Sequence, residues 1–239
     1  MANLVDVWHD TLTYFKLKNR KVPLSEKIDI LKLPDPSEVP NTATIDVRNM
    51  DSFEMAIDFI NHKLNPLVLN MACDQGPGGG VAKGSRAQEE DLFRRSNAHE
   101  THPRGWYPLK ANEMIYSPEI TICKDPDYNR IKEVKVSMLA VAALRKPRLI
   151  SNMYTMEQYQ IMSNKIDAMF KIAREKKHDS LVLGAFGCGA YDNPPLIVAE
   201  MFRLAIKKYG GYFKRIGFAV LVAKPKDKNN LTAFSALML

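Results

Sequence analysis

The sequence predicts a three-layer α/β fold, with a mixed, mostly parallel sheet and helices on both faces. Three observations lead there. Short apolar runs such as "PLVLNMA" (66–72) and "SLVLGAF" (180–186) read as strands buried on both sides. They alternate with stretches whose apolar residues recur at three-and-four spacing, and strand–helix–strand order implies parallel pairing. Finally, 239 residues of which 46% are hydrophobic can bury the core of one large domain.

Each element follows from its local pattern. Residues 5–15 predict a short amphipathic helix, and the proline-broken stretch 26–41 a strand and a connector. From Thr42 onward the pattern is rhythmic: a strand at 42–47, a helix at 51–63, a buried strand at 66–72 and a glycine loop. "EMIYSP" and "EITICK" read as short strands on either side of Pro118, and 134–144 as a buried central strand. Tyr159, Met162, Ile166, Met169, Phe170 and Ala173 mark an amphipathic helix over 156–177. A strand at 180–186 runs into a second glycine loop, followed by a helix over 194–209 and a strand at 215–223. The expected organisation is an N-terminal helix and strand extension (1–41) packed on a main domain (42–239).

A formal charge of +7 favours an anionic partner or simply a well-solvated surface; much of the excess sits in basic runs such as 16–21, 174–179, 207–215 and 223–230. Cys73, Cys123 and Cys188 are odd in number and far apart, which suggests neither a disulfide framework nor a structural zinc site and fits a reducing compartment. No apolar run approaches the roughly twenty residues that cross a bilayer, so a soluble intracellular protein with no membrane partner is expected.

The two glycine loops carry the chemistry. The second, "GAFGCGAYDNPP" (184–195), follows a buried strand, has three glycines and ends with Asp192 or Asn193 as a helix cap before proline, an arrangement that aims backbone N–H groups at an anion. In the first, "GPGGGVAKGSRAQEEDLFRRS" (76–96), Ser85 and Gln88 match a capping box, so a helix is expected from about Arg86 with Glu89, Glu90 and Asp91 in its first turn. Carboxylates beside a permissive backbone suit a polarised, uncharged target such as a ribose whose glycosidic bond is to be broken. Neither a P-loop nor a dinucleotide fingerprint is present: "GGVAKGSR" has no lysine in the required place and "GCGAYD" lacks the third glycine.

"GGG", seven residues, then "QEE" resembles the signature of poly(ADP-ribose) glycohydrolases, a branch of the macrodomain fold. The wider string "VLNMACDQGPGGGVAKGSRAQEEDLFRRS", with "IYSPEITICKD", "VSMLAVAAL" and "LGAFGCGAYDNPP" in order, resembles the microbial-type group. The resemblance implies a macrodomain-like catalytic domain that cleaves ribose–ribose bonds in poly(ADP-ribose) or on ADP-ribosylated proteins, with no cofactor and no metal. It implies that Gly78, Gly79 and Gly80 lie against the ribose and diphosphate, while Gly187, Cys188, Gly189, Ala190 and Tyr191 wrap the diphosphate from the other side. Gln88 and Glu89 would orient the catalytic segment and contact ribose, Asn70 would lie in the same substrate site, and Glu90 would be the catalytic acid. Asp46 or Asn49 would contact adenine. Cys73 stands where the family tends to have asparagine, and a thiol is a weak donor beside the ribose.

The chemistry agrees with the residue types. An oxocarbenium-like state requires an acid to protonate the departing oxygen and a base to activate water, and one carboxyl group can do both in turn. Glu90 would then need its pKa raised, which Glu89 and a bound diphosphate would favour. A non-catalytic ADP-ribose reader would share the loops but gain nothing from adjacent acids near a diphosphate. A nucleic-acid-binding α/β protein would use the basic runs, but these carry no familiar nucleic-acid motif, so nucleic acid is not the expected partner.

Overall fold

The computed structural model describes residues 2–238. In chain order the elements are α1 (Leu4–Lys18), β1 (Glu26–Asp29), β2 (Thr44–Arg48), α2 (Ser52–Asn61), β3 (Pro66–Met71), α3 (Gln88–Arg95), β4 (Glu113–Lys124), β5 (Arg130–Val141), α4 (Met156–Glu175), β6 (Ser180–Leu183), α5 (Pro195–Tyr209), β7 (Arg215–Ala219) and α6 (Lys228–Ser235). These seven strands and six helices form the mixed α/β fold that the sequence predicts. The chain divides into two compact units, Met1–Ile28 with Asn70–Ala142 and Asp29–Leu69 with Ala143–Leu239.

In the first unit β4 and β5 pair antiparallel over their length. The two short strands expected around Pro118 are one strand of 12 residues, whose register shifts between Ser117 and Ile120. Proline has no N–H for the ladder, and a bulge carries the strand past it. β5 begins at Arg130, ahead of the apolar run at 134, because its first residues alternate exposed and half-buried like a strand with one solvated face. Helix α1 buries Leu4, Trp8, Thr11 and Phe15, and Trp8 meets Phe93 of α3 with ring centroids 6.4 Å apart.

The arginines ending α3 do more than complement its dipole. Arg94, fully buried, donates from Nε to Leu4 O at 3.2 Å and from Nη2 to Ser85 O at 2.7 Å and Val81 O at 3.2 Å. Arg95, also fully buried, donates from Nε to Lys124 O at 3.1 Å and pairs through Nη1 with Asp91 at 3.0 Å. Together they fasten α3 to α1, to the chain before the helix and to β4.

In the second unit the strands run β3-β6-β7-β2, all parallel where paired. Asp51 caps α2 by accepting from Phe53 and Glu54 N–H, and Thr155 with Gln158 forms a capping box on α4. Helix α6 lies in and beyond a stretch that reads in sequence as a solvated basic run. Its Phe234 is fully buried, with ring centroids 6.0 Å from Phe202 and 5.5 Å from Phe218. β7 ends at Ala219, short of the predicted 223, and Val220 N–H then donates to Arg48 O at 3.0 Å. No helix among the described residues is long and apolar enough to cross a membrane.

Candidate active site

The first glycine loop closes over the acid pair of α3. Glu89 Oε2 accepts from Cys73 N–H at 2.7 Å, while Oε1 accepts from Gly78 N–H at 3.2 Å and Asn70 Nδ2 at 3.3 Å. Glu90 Oε1 accepts from Gly80 N–H at 3.0 Å, and Gly79 N–H turns back to Gly76 O at 3.3 Å. The backbone donors of Gly78 and Gly80 thus hold carboxylates. Glycine is required at the middle position, where φ is +51° and a Cβ would lie 2.7 Å from Glu90 Oε1.

The expected capping box does not form. Helix α3 starts at Gln88, behind Ala87, with no side-chain cap. Gln88 Oε1 instead accepts from Met71 N–H at 2.8 Å, a partner at the end of β3 that outcompetes local capping. Gln88, Glu89 and Glu90 therefore each hold a different piece of backbone: the strand end, the strand end with the loop, and the far glycine.

Both acids are buried, Glu89 at 3% exposure and Glu90 at 8%. Burial pushes Glu89 up to about 8, outweighing its hydrogen bonds from Cys73, Asn70 and Gly78, with the neighbouring Glu90 adding to the rise. Glu89 is the more deeply enclosed carboxyl of the pair.

Two further features of this site escape sequence reasoning. Asn70 is fully buried, yet its Oδ1 takes no donor. The Tyr107 hydroxyl is also buried without a partner, and burial together with the charges of Glu89 and Cys73 pushes its phenol up. "WYPL" carries no pattern that marks it in the sequence. Its place comes from packing on Ala72, Leu109, Ile115 and Ala140 and from Leu109 N–H donating to Asp74 O at 2.8 Å.

The second loop, within its own unit, follows β6. Asn193 Nδ2 donates to Leu144 O at 2.7 Å, Gly187 O at 3.0 Å and Tyr191 O at 3.3 Å, and Asn193 Oδ1 accepts from Tyr154 at 2.7 Å. Neither Asp192 nor Asn193 caps α5, because the asparagine is occupied by these carbonyls. Pro194 holds the cap position with no side-chain bond and Pro195 opens the helix. Gly187 sits at φ +75°, and a Cβ there would lie 2.6 Å from both Ala143 Cβ and Asn193 Nδ2. Among the described residues, the N–H groups of Gly187, Gly189 and Ala190 take no protein acceptor. Tyr191 carries the Arg145 guanidinium 4.9 Å above its ring and accepts from Arg145 Nη2 at 3.1 Å. Burial pushes the Cys188 thiol up.

Asp46 and Asn49 are engaged in the scaffold. Asp46 pairs with Arg215 and, at 3.2 Å, with Arg48, while Asn49 Oδ1 accepts from Val222 N–H at 2.8 Å. Among the described residues no group of three His, Cys, Asp or Glu side chains is placed to hold a metal ion.

Residues 10–125, which include β3, the first glycine loop and α3, match the model of the microbial-type PARG catalytic domain. No curated protein matches the chain. Among solved structures, the poly(ADP-ribose) glycohydrolase of Thermomonospora curvata is 24% identical with a TM-score of 0.81, covering 98% of both chains. A structure of that enzyme bound to the inhibitor ADP-HPD is 22% identical with a TM-score of 0.82, again covering 98% of both. The poly(ADP-ribose) glycohydrolase of Deinococcus radiodurans, solved in complex with ADP-ribose, is 27% identical with a TM-score of 0.71, covering 83% of this chain and 86% of that one.

Proposed function

We infer that the chain is a microbial-type poly(ADP-ribose) glycohydrolase, which cuts the ribose–ribose O-glycosidic bond of the polymer and releases ADP-ribose. The observation that carries this reading is the acid pair, held residue by residue under one glycine loop: Glu89 by Gly78 N–H at 3.2 Å and Glu90 by Gly80 N–H at 3.0 Å. A reader of ADP-ribose has no use for two enclosed carboxyl groups at this point. The likeness to the glycohydrolases of Thermomonospora and Deinococcus supports the same reading.

The roles divide by environment. Glu89 is the organiser: both of its oxygens accept N–H donors, and it joins the end of β3 to the glycine loop. Glu90, the less enclosed of the two and bonded through Oε1 to Gly80 N–H, is the acid and base. Its carboxyl protonates the departing ribose oxygen as the bond to the anomeric carbon breaks. The resulting carboxylate then takes a proton from the water that attacks the oxocarbenium-like sugar. The second loop serves the diphosphate, since the free N–H groups of Gly187, Gly189 and Ala190 favour an anion.

The deciding experiment is release of ADP-ribose from poly(ADP-ribose) by the wild type and by Glu90→Gln, with ADP-ribose binding measured in parallel. Loss of a positioned acid predicts a fall of about 10²–10⁴-fold in release with binding retained. A wild type that binds ADP-ribose but releases none from the polymer would make the chain a reader and overturn the assignment.

A further inference from the structure

Among the described residues, two enclosed polar atoms, Asn70 Oδ1 and the Tyr107 hydroxyl, have no protein partner. Asn70 touches Glu89 directly, its Nδ2 lying 3.3 Å from Oε1. Tyr107 lies close enough for the charges of Glu89 and Cys73 to act on its phenol. Native structures seldom leave such atoms unmatched, and where they do, the site tends to be built for something that arrives later.

The place of the Tyr107 hydroxyl is fixed by the chain around it. Tyr107 N–H closes a turn on Arg104 O at 3.2 Å, and Leu109 N–H pins the segment to Asp74 O at 2.8 Å, one residue beyond Cys73. The ring rests, with Trp106, on Ala72, Leu109, Ile115 and Ala140. An aromatic side chain held in this way loses little freedom when its hydroxyl meets a ligand, which is the condition for a positioning contact.

The chemistry of the two unmatched atoms selects their partner. Asn70 Oδ1 accepts only, whereas a tyrosine hydroxyl donates readily; a sugar hydroxyl can give to the first and accept from the second. A phosphate, with no proton to give, would leave Asn70 Oδ1 unmatched. The remaining side chain here, Cys73, offers a thiol, which is a weak donor.

We propose that Tyr107 is a substrate-positioning residue, whose hydroxyl donates a hydrogen bond to a hydroxyl of the distal ribose, the sugar whose glycosidic bond is cut, while Asn70 Oδ1 accepts from the same sugar. This rests on the glycohydrolase reading above, and it adds to that reading a strong donor beside the ribose.

Tyr107→Phe removes one oxygen and keeps the ring that packs. The variant is compared with the wild type in binding ADP-ribose, in binding ADP, which lacks the distal ribose, in KM and kcat on poly(ADP-ribose), and in thermal midpoint. Loss of one hydrogen bond predicts about a tenfold rise in Kd for ADP-ribose and a similar rise in KM for the polymer. The affinity for ADP stays unchanged, and the thermal midpoint is equal or higher because the unpaired hydroxyl is gone. Equal affinities of wild type and variant for ADP-ribose would overturn the proposal. So would a loss shared equally by ADP, which would mean that the hydroxyl serves the scaffold. The wild-type assay separates this inference from its premise: if the wild type cleaves the polymer and only the Tyr107→Phe comparison is flat, the glycohydrolase stands and this contact falls.

Discussion

The two glycine loops look alike in sequence and are wired in opposite senses. In the first, side-chain acceptors draw the backbone donors inward, with Glu89 holding Gly78 N–H and Glu90 holding Gly80 N–H. In the second, a side-chain donor draws the backbone acceptors inward: Asn193 Nδ2 binds the carbonyls of Gly187, Tyr191 and Leu144. Among the described residues, the N–H groups of Gly187, Gly189 and Ala190 are left without protein acceptors. One loop therefore turns its backbone donors onto acids, and the other leaves them free, as an anion site requires. Glycine content is common to both; the residue that reaches back into the loop decides what the loop does.

The largest effect should come from breaking the first arrangement at its tightest point. A Cβ on Gly79 would sit 2.7 Å from Glu90 Oε1 and 3.3 Å from Glu89 Oε2, at a φ of +51°. Gly79→Ala must displace either the loop or both carboxylates. Backbone strain of this kind costs about 1–3 kcal/mol of stability, and a displacement of about 1 Å costs about a hundredfold in rate. Denaturant unfolding and polymer cleavage measure the two. Wild-type cleavage by this variant would show that the loop's hold on Glu90 is unnecessary.

Next in size is the pH dependence of the first loop. The folded-state pKa of Glu89 is about 8 against an ordinary value of 4.5. Between these values the unfolded chain releases the proton while the folded protein keeps it, so the folded state binds more protons and stability falls as pH rises. Glu89 favours folding most below pH 4.5 and loses that contribution on the way to about pH 8, on the order of a few kcal/mol in all. Glu89→Gln cannot titrate. Its amide nitrogen would also face a donor that now meets an oxygen, which destabilises the variant by about 1–3 kcal/mol at every pH. The variant should be the less stable protein at pH 5, and the gap should narrow or reverse by pH 8, as read from thermal midpoints across that range. A gap that does not change with pH would mean that Glu89 ionises freely in the folded state.

What the sequence made legible follows from the range over which each signal acts. β3 and β6 were readable because a run such as Leu67, Val68 and Leu69 is apolar throughout, and all three residues are buried. The union of glycine loop and acid pair was readable because both lie within one short stretch. Its hydrogen-bond direction was not. Ser85 and Gln88 satisfy a local capping rule, yet the bond that forms joins Gln88 to Met71, 17 residues away. Tyr107 gave no signal because its setting depends on Ala140 and Ile115, which only the folded sheet brings to it. Helix α6 was hidden by its lysines, since the residue that anchors it, Phe234, lies beyond the basic run and packs on Phe202 and Phe218.

The smallest structural change gives the sharpest test of the second loop. Gly189 has no neighbour within 4 Å of where a Cβ would lie, and its φ lies outside the range that L side chains avoid. Gly189→Ala should therefore leave stability within about 0.5 kcal/mol of the wild type. A methyl group there projects beside N–H groups that hold nothing in the folded protein. If those groups receive the diphosphate, ADP-ribose binding should weaken severalfold while the thermal midpoint stays still, and ADP should weaken in parallel because it carries the same diphosphate. Free inorganic phosphate, smaller and able to shift, should be less affected. Unchanged binding of both nucleotides would mean that the outward N–H groups are only the by-product of a turn built around Asn193, and that the opposite wiring of the two loops has no functional counterpart.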